Sequence, residues 1–185
     1  VAFLSRNEIE KIGFLSLGQN VLISDKCSIY NPANIKIGNN VRIDDFCILS
    51  AGVGGIELGS YIHISAYASL IGAGKIKIGD FSALSVRSSV FSSSDDFSGE
   101  MMANPIVPKQ YRMVDERDVF IERHVLIGAG VVILPGVKIH LGAAVGALSL
   151  VNKDLNGLSV YHGNPVRFLH KRKCDFLKYE KLINP

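Results

Sequence analysis

A chain of 185 residues, 48% of them hydrophobic, can bury one substantial core and is short enough to be a single domain. Its 20 Lys and Arg against 17 Asp and Glu leave a formal charge of +3, too mild for a nucleic-acid footprint. No apolar run reaches the roughly 20 residues that span a bilayer, and three cysteines without CxxC spacing (Cys27, Cys47, Cys174) read as reduced thiols of a cytoplasmic protein, with no structural metal.

The opening stretch VAFLSRNEIEK turns charged too early for a signal-peptide core. Ser5 and Glu8 have capping-box spacing, and Gly13 can close a short helix over residues 5–13. From residue 21 to residue 165 the chain repeats itself. NIKIGNNVRID from Asn34, GIELGSYIHIS from Gly55 and KIKIGDFSALS from Lys75 align directly; DVFIERHVLIG from Asp118 aligns less well. An aliphatic phase runs through Ile37, Ile43 and Leu49, shifts at a small insertion, and continues through Leu58, Ile64, Leu70, Ile78, Leu84 and Val90. Past a break it returns at Ile121, Ile127, Ile133, Ile139, Val145 and Val151 with no adjustment. A period of six fits neither an amphipathic helix nor a simple alternating strand. It predicts an all-β parallel β-helix of hexapeptides, each a short strand and a turn with its aliphatic residue inward. Gly38, Gly79, Gly128 and Gly146 follow inward residues, where tight turns or close backbone approach favour glycine.

The break begins at FSSSDDFSGE, residues 91–100, and continues as a loop over about 97–118 without the repeat. Long loops in compact domains are usually functional or disordered. Pro105, Pro108 and Tyr111 suggest an ordered arm that reaches a neighbour. Asp95 and Asp96 read as chemistry, with turn formation as the alternative. After Asn164-Pro165, residues 166–183 are charged, with apolar Phe168, Leu169, Phe176, Leu177 and Ile183, and predict a C-terminal amphipathic helix. Such ends cover open sheet edges.

IGAGVVILPGVKI, AVGALSLVNKD and GNPVR resemble the C-terminal signature of the hexapeptide-repeat acyltransferases, in their galactoside, maltose and xenobiotic acetyltransferase branch. SSSDDFSGE followed by NPIVP is similar to a subgroup that acetylates sugars for bacterial surface polysaccharides, including nucleotide-linked amino-dideoxy sugars of the dTDP-4-amino-4,6-dideoxyglucose type. The resemblance implies a left-handed β-helix, a homotrimer with sites between subunits, and acetyl-CoA lying along the helix. It implies backbone contacts to the donor at Ala129 and Ala147, nucleotide-end contacts at Asn152 and Lys153, and phosphate binding by Arg167, with His170 as a weaker second ligand. Small side chains at Ala129 and Ala147 suit a pantetheine arm, and Lys153, Arg167, Lys171 and Arg172 suit phosphates.

Acetyl transfer needs a deprotonated acceptor, a polarised carbonyl and both reactants held together. Many relatives place a histidine base in a loop written roughly N-H-x-x-D-G; here that loop is SSSDDFSG and has no histidine. Ser93 and Ser94 take the missing pair's neighbourhood. His63 is the candidate base among five histidines, coupled across a subunit boundary to Asp95 or Asp96, which orient it or bind the sugar amine. For an amine acceptor Asp95 alone can take the proton. Ser94 and Tyr111 are expected to wall the acceptor site. The alternatives are O-acetylation of a galactoside or polysaccharide hydroxyl, and a noncatalytic β-helix scaffold. A zinc carbonic anhydrase of this fold would need two histidines five residues apart, and no pair has that spacing.

Overall fold

The computed structural model describes residues 2–183. Three parallel sheets form the sides of a prism, and the chain visits them in turn. The first stacks Ser16–Leu17, Ile35–Ile37, Ile56–Leu58, Ile76–Ile78, Val119–Ile121 and Lys138–Ile139. The second runs from Leu22–Ile23 through Ile62–Ile64, Ala83–Leu84 and Leu126–Ile127 to Ser159–His162. The third includes Ser28–Tyr30, Ser69–Gly72, Ser89–Phe91, Val132–Ile133 and Leu150–Val151. Every residue of the period-six phase points into the prism: Ile43, Leu49, Ile64, Leu70, Leu84, Val90, Ile127, Ile133, Ile139 and Val151 have no exposed surface. Each such burial is worth about 1.5–3 kcal/mol, and only stacking supplies it.

The corners explain why so few residues suffice per turn. At the first corner the left-handed backbone recurs at Asn20, Asn40, Tyr61, Phe81, His124 and Leu158. At the second it recurs at Phe46, Tyr67, Arg87 and Leu148. Non-glycine residues resist this conformation by roughly 1–2 kcal/mol; stacking offsets the strain. Tyr61 stacks on Phe81 at 4.7 Å and Phe81 on His124 at 5.0 Å, while Phe46 stacks on Tyr67 at 4.9 Å. Close coil contact also fixes Gly38, where a Cβ would lie 2.5 Å from the Gly59 carbonyl oxygen.

Both ends are closed. Helix α1 (Arg6–Ile12) carries the reciprocal Ser5–Glu8 cap and ends at Gly13 in the left-handed region, with Ile9 buried. The C-terminal segment departs from the single helix expected over 166–183. Arg167–Lys171 is a strand, antiparallel to Ser159–His162, and helix α2 is confined to Leu177–Ile183. The strand satisfies the open edge of the second sheet, and Phe168 meets Tyr161 edge-on at 6.0 Å. Phe176 then packs against His124, and Glu180 ties α2 down through Arg123 and His124, both at 2.7 Å. No helix among the described residues is long and apolar enough to cross a membrane.

Candidate active site

The coil opens at the third corner. The Ser92 hydroxyl donates to the Gly74 carbonyl (2.6 Å), and the Ser92 carbonyl accepts from the Arg117 N–H (3.0 Å), pinning where the chain leaves and returns. Between these points Ser93–Asp95 pairs antiparallel with Val114–Glu116, Asp95 facing Val114 and Ser94 facing Asp115. The predicted loop is therefore the far end of a hairpin, with a 3-10 turn at Lys109–Tyr111. Under the hairpin lies a groove of about 800 Å³, walled by Asp95, Asp96, Glu100, Asp115, Glu116 and Arg117 and floored by Leu134 and Pro135. Among the described residues its one cation, Arg117, is held by Asp115 through bonds of 2.7–3.0 Å. The groove thus favours a positively charged group.

The two aspartates differ. Asp96 accepts backbone N–H groups on both oxygens, from Ser98 at 2.8 Å and Met101 at 2.9 Å. Hydrogen bonds from Ser98 and Met101 hold its carboxyl below the usual range. The Asp95 carboxylate is half-buried and accepts no hydrogen bond among the described residues. Ser94 lines the groove and donates to the Asp95 carbonyl at 3.1 Å. Tyr111 is exposed and lies outside the groove's lining.

His63 stands mid-strand on the outer face of the second sheet. Its Nε2 meets the Asp44 carboxylate at 2.8 Å, and Arg42 Nε takes the other Asp44 oxygen at 2.7 Å. Burial alone would raise Asp44, but the bonds from Arg42 and His63 prevail and lower it. Within the chain, neither Asp95 nor Asp96 meets His63; its carboxylate partner is Asp44. His124 is bound to Glu180, and His140 to Glu122 at 3.1 Å.

The second corner forms a track. Ser65, Ser85, Gly128 and Gly146 begin successive turns there, and Ala66, Val86, Ala129 and Ala147 follow them. Gly130 donates to the Val86 carbonyl (3.0 Å) and Leu148 to that of Ala129 (2.8 Å), so the column is continuous. Its small side chains leave the backbone approachable, and a Cβ at Gly128 would lie 2.7 Å from the Ala147 nitrogen. Toward the C-terminal end, Asn152, Lys153, Arg167 and His170 are exposed, and neither Lys153 nor Arg167 forms an ion pair among the described residues. These groups suit a chain-like donor ending in phosphates. Arg172 does not join them: its Nη1 donates to the His124 and Gly142 carbonyls at 3.1 and 3.0 Å. Ser85, one coil before Gly128, went unnoticed in the sequence because serine at a turn start is ordinary; its hydroxyl has no partner among the described residues.

A second concavity of about 840 Å³ lies on the outer face of the first sheet. It is a ladder of paired charges, Lys36 and Lys77 on Glu57 and Lys138 on Glu122, and gathers none of the expected site residues. No cluster of three or more His, Cys, Asp or Glu side chains that could hold a metal occurs among the described residues.

No family model matches the chain. It is 46% identical over 185 residues to a dTDP-4-amino-4,6-dideoxy-D-glucose acyltransferase of Escherichia coli, covering 100% of this chain and 96% of that protein. Among solved structures it is similar to variants of AntD, an N-acyltransferase from Bacillus cereus. A serine-to-alanine variant, in complex with dTDP-4-amino-4,6-dideoxyglucose and coenzyme A, matches with a TM-score of 0.94 and 47% identity over 99% of this chain and 97% of that one. An aspartate-to-alanine variant, in complex with dTDP and coenzyme A, matches with a TM-score of 0.93 and 48% identity over 98% and 97%. In that protein the replaced aspartate stands ten positions after the replaced serine.

Proposed function

Because the chain belongs to the hexapeptide-repeat acyltransferases, the left-handed parallel β-helix enzymes, we propose that it acetylates the amine of a nucleotide-linked amino-dideoxy sugar of the dTDP-4-amino-4,6-dideoxyglucose type. What carries the acceptor assignment is the state of Asp95: an unengaged carboxylate in an acidic groove, beside an Asp96 already committed to the fold. Asp95 draws in the sugar's ammonium and takes its proton, leaving a nucleophilic amine. When bound, acetyl-CoA supplies the acetyl carbonyl and a thiolate leaving group: a C–N bond replaces the C–S bond, and the second proton shed by the attacking nitrogen leaves on the thiol. Ser85 and Asp95 stand the same ten residues apart as the serine and aspartate replaced in AntD. Ser85, at the acyl end of the track, donates its hydroxyl to the carbonyl oxygen as charge develops there. Ala129, Ala147, Asn152, Lys153, Arg167 and His170 hold the donor along the track. Ser94 shapes the acceptor groove, and His63 pairs within the chain with Asp44 and not with Asp95 or Asp96.

The site is completed between copies. Ser85 opens the second corner ahead of the strand Ser89–Phe91, and Asp95 lies beyond that strand in the hairpin, so the whole strand stands between them. Exposed Leu22, Phe46, Tyr67, Leu126 and Leu148 line the second sheet and second corner. A homotrimer that buries this stripe brings one copy's track to another's hairpin. The product is a precursor for O-antigen or capsule, made in the cytoplasm.

The test is turnover of acetyl-CoA with dTDP-4-amino-4,6-dideoxyglucose, following thiol release and loss of the primary amine. The two should proceed one for one. Acetylation of galactosides or polysaccharide hydroxyls but not of the amino sugar would move the assignment to O-acetyl transfer, and no binding of coenzyme A would leave a scaffold.

A further inference from the structure

The acceptor proposed above carries opposite charges at its two ends, an ammonium on one side of the sugar ring and a diphosphate on the other. Asp95 answers the ammonium. Nothing in the groove answers the diphosphate: Asp96, Glu100, Asp115 and Glu116 repel it, and Arg117 is engaged by Asp115.

A second cation stands close by. Arg112 has extended backbone (φ −128°, ψ 152°) and precedes Val114, the residue facing Asp95, by two positions. Alternation along extended chain gives Arg112 the same face as Val114, the residue that pairs with Asp95. The Arg112 Nε is buried and has no hydrogen-bond partner, and the guanidinium forms no ion pair with any described residue. Its backbone, by contrast, is fixed by a bond to the Lys109 carbonyl and by bridging to Met102. A buried N–H left unmatched is unfavourable, and the partly exposed guanidinium that carries it has no ion pair among the described residues, so it is available to an anion from outside the chain.

We propose that Arg112 binds the diphosphate of the nucleotide sugar. Resting on the amino-sugar reading, this makes Asp95 and Arg112 the two ends of a charge clamp that spans the sugar ring. The guanidinium fork matches phosphate oxygens bidentately, which a lysine cannot reproduce. The clamp selects nucleotide-linked amino sugars over free ones.

Two measurements on the full chain test it. In steady-state kinetics, Arg112→Gln should raise KM for dTDP-4-amino-4,6-dideoxyglucose roughly tenfold or more, as expected for loss of a hydrogen-bonded charge. KM for acetyl-CoA and kcat/KM for the free 4-amino-4,6-dideoxyglucose should stay within a factor of about two, and Arg112→Lys should recover part of the loss. In calorimetric titration with dTDP alone, Arg112→Gln should weaken binding by a similar factor. Unchanged dTDP affinity in the variant, or an equal loss of kcat/KM on both acceptors, overturns the proposal. A wild-type chain that binds dTDP through Arg112 but acetylates no nucleotide amino sugar would instead defeat the acceptor reading and leave the anion site standing.

Discussion

An aspartate whose two oxygens already accept backbone N–H groups has little basicity left for a substrate, and Asp96 is in that position. Asp95 is its neighbour in sequence yet free. Asp95→Asn should lower kcat/KM about 100-fold or more, the scale of a lost general base. His63→Gln breaks only an exposed pair with Asp44, of a kind worth about 0–1 kcal/mol, and should leave kcat/KM within about threefold. A collapse of activity in His63→Gln with a normal Asp95→Asn would restore histidine as the base. The adjacency of two aspartates at a break in the repeat was legible in the sequence. Which one is available was not, because that depends on where the Ser98 and Met101 N–H groups point. Ser85 was hidden for a related reason: the turn at Ser65 begins with the same residue, so nothing local singles Ser85 out.

At the scale of elements, period-six patterning specified the strands because each inward residue is decided by its own coil and the two beside it. The C-terminal segment has no such repeat. Phe168 and Leu169 fit a helical stripe as well as a strand, and the unpaired edge of Ser159–His162 decided between them. Beyond this strand the chain is clamped to the prism: Phe176 packs against His124, Glu180 is bonded to His124 and Arg123, and Arg172 is bonded to two carbonyls. The hydrogen bond from His124 is the chief cause that lowers Glu180 from its ordinary 4.5, with burial opposing it and the charges of Arg123 and His124 adding to it. A depressed carboxylate stabilises fully above its unfolded value and loses that contribution as pH falls through its folded value. Amide exchange across residues 173–183 should therefore accelerate, beyond its intrinsic pH dependence, as pH drops below about 4.5. Glu180→Gln should exchange fast on both sides of that pH. Equal protection of the wild type on both sides would show that Glu180 does not hold α2.

Across the whole molecule, the prism was legible from one chain, but the site was only half so. A repeat shows which residues face inward; it cannot show which outward faces meet another copy. Ser85 and Asp95 stand on either side of the strand Ser89–Phe91, one at the second corner and the other in the hairpin beyond it. If rotation about a threefold axis brings the second corner of one copy to the hairpin of the next, two damaged chains can share an intact site. Ser85→Ala and Asp95→Asn homotrimers should each be nearly inactive. Unfolded together in equal amounts and refolded as mixed trimers, they should regain activity. Every junction that draws its serine from the Asp95→Asn chain and its aspartate from the Ser85→Ala chain is whole, and random assembly makes about one junction in four of that kind. Recovery near a quarter of wild-type activity requires the two residues to come from different copies. A mixture as inactive as its parents would place both in one chain, and the coupling of the track to the hairpin would then have to run through the third sheet.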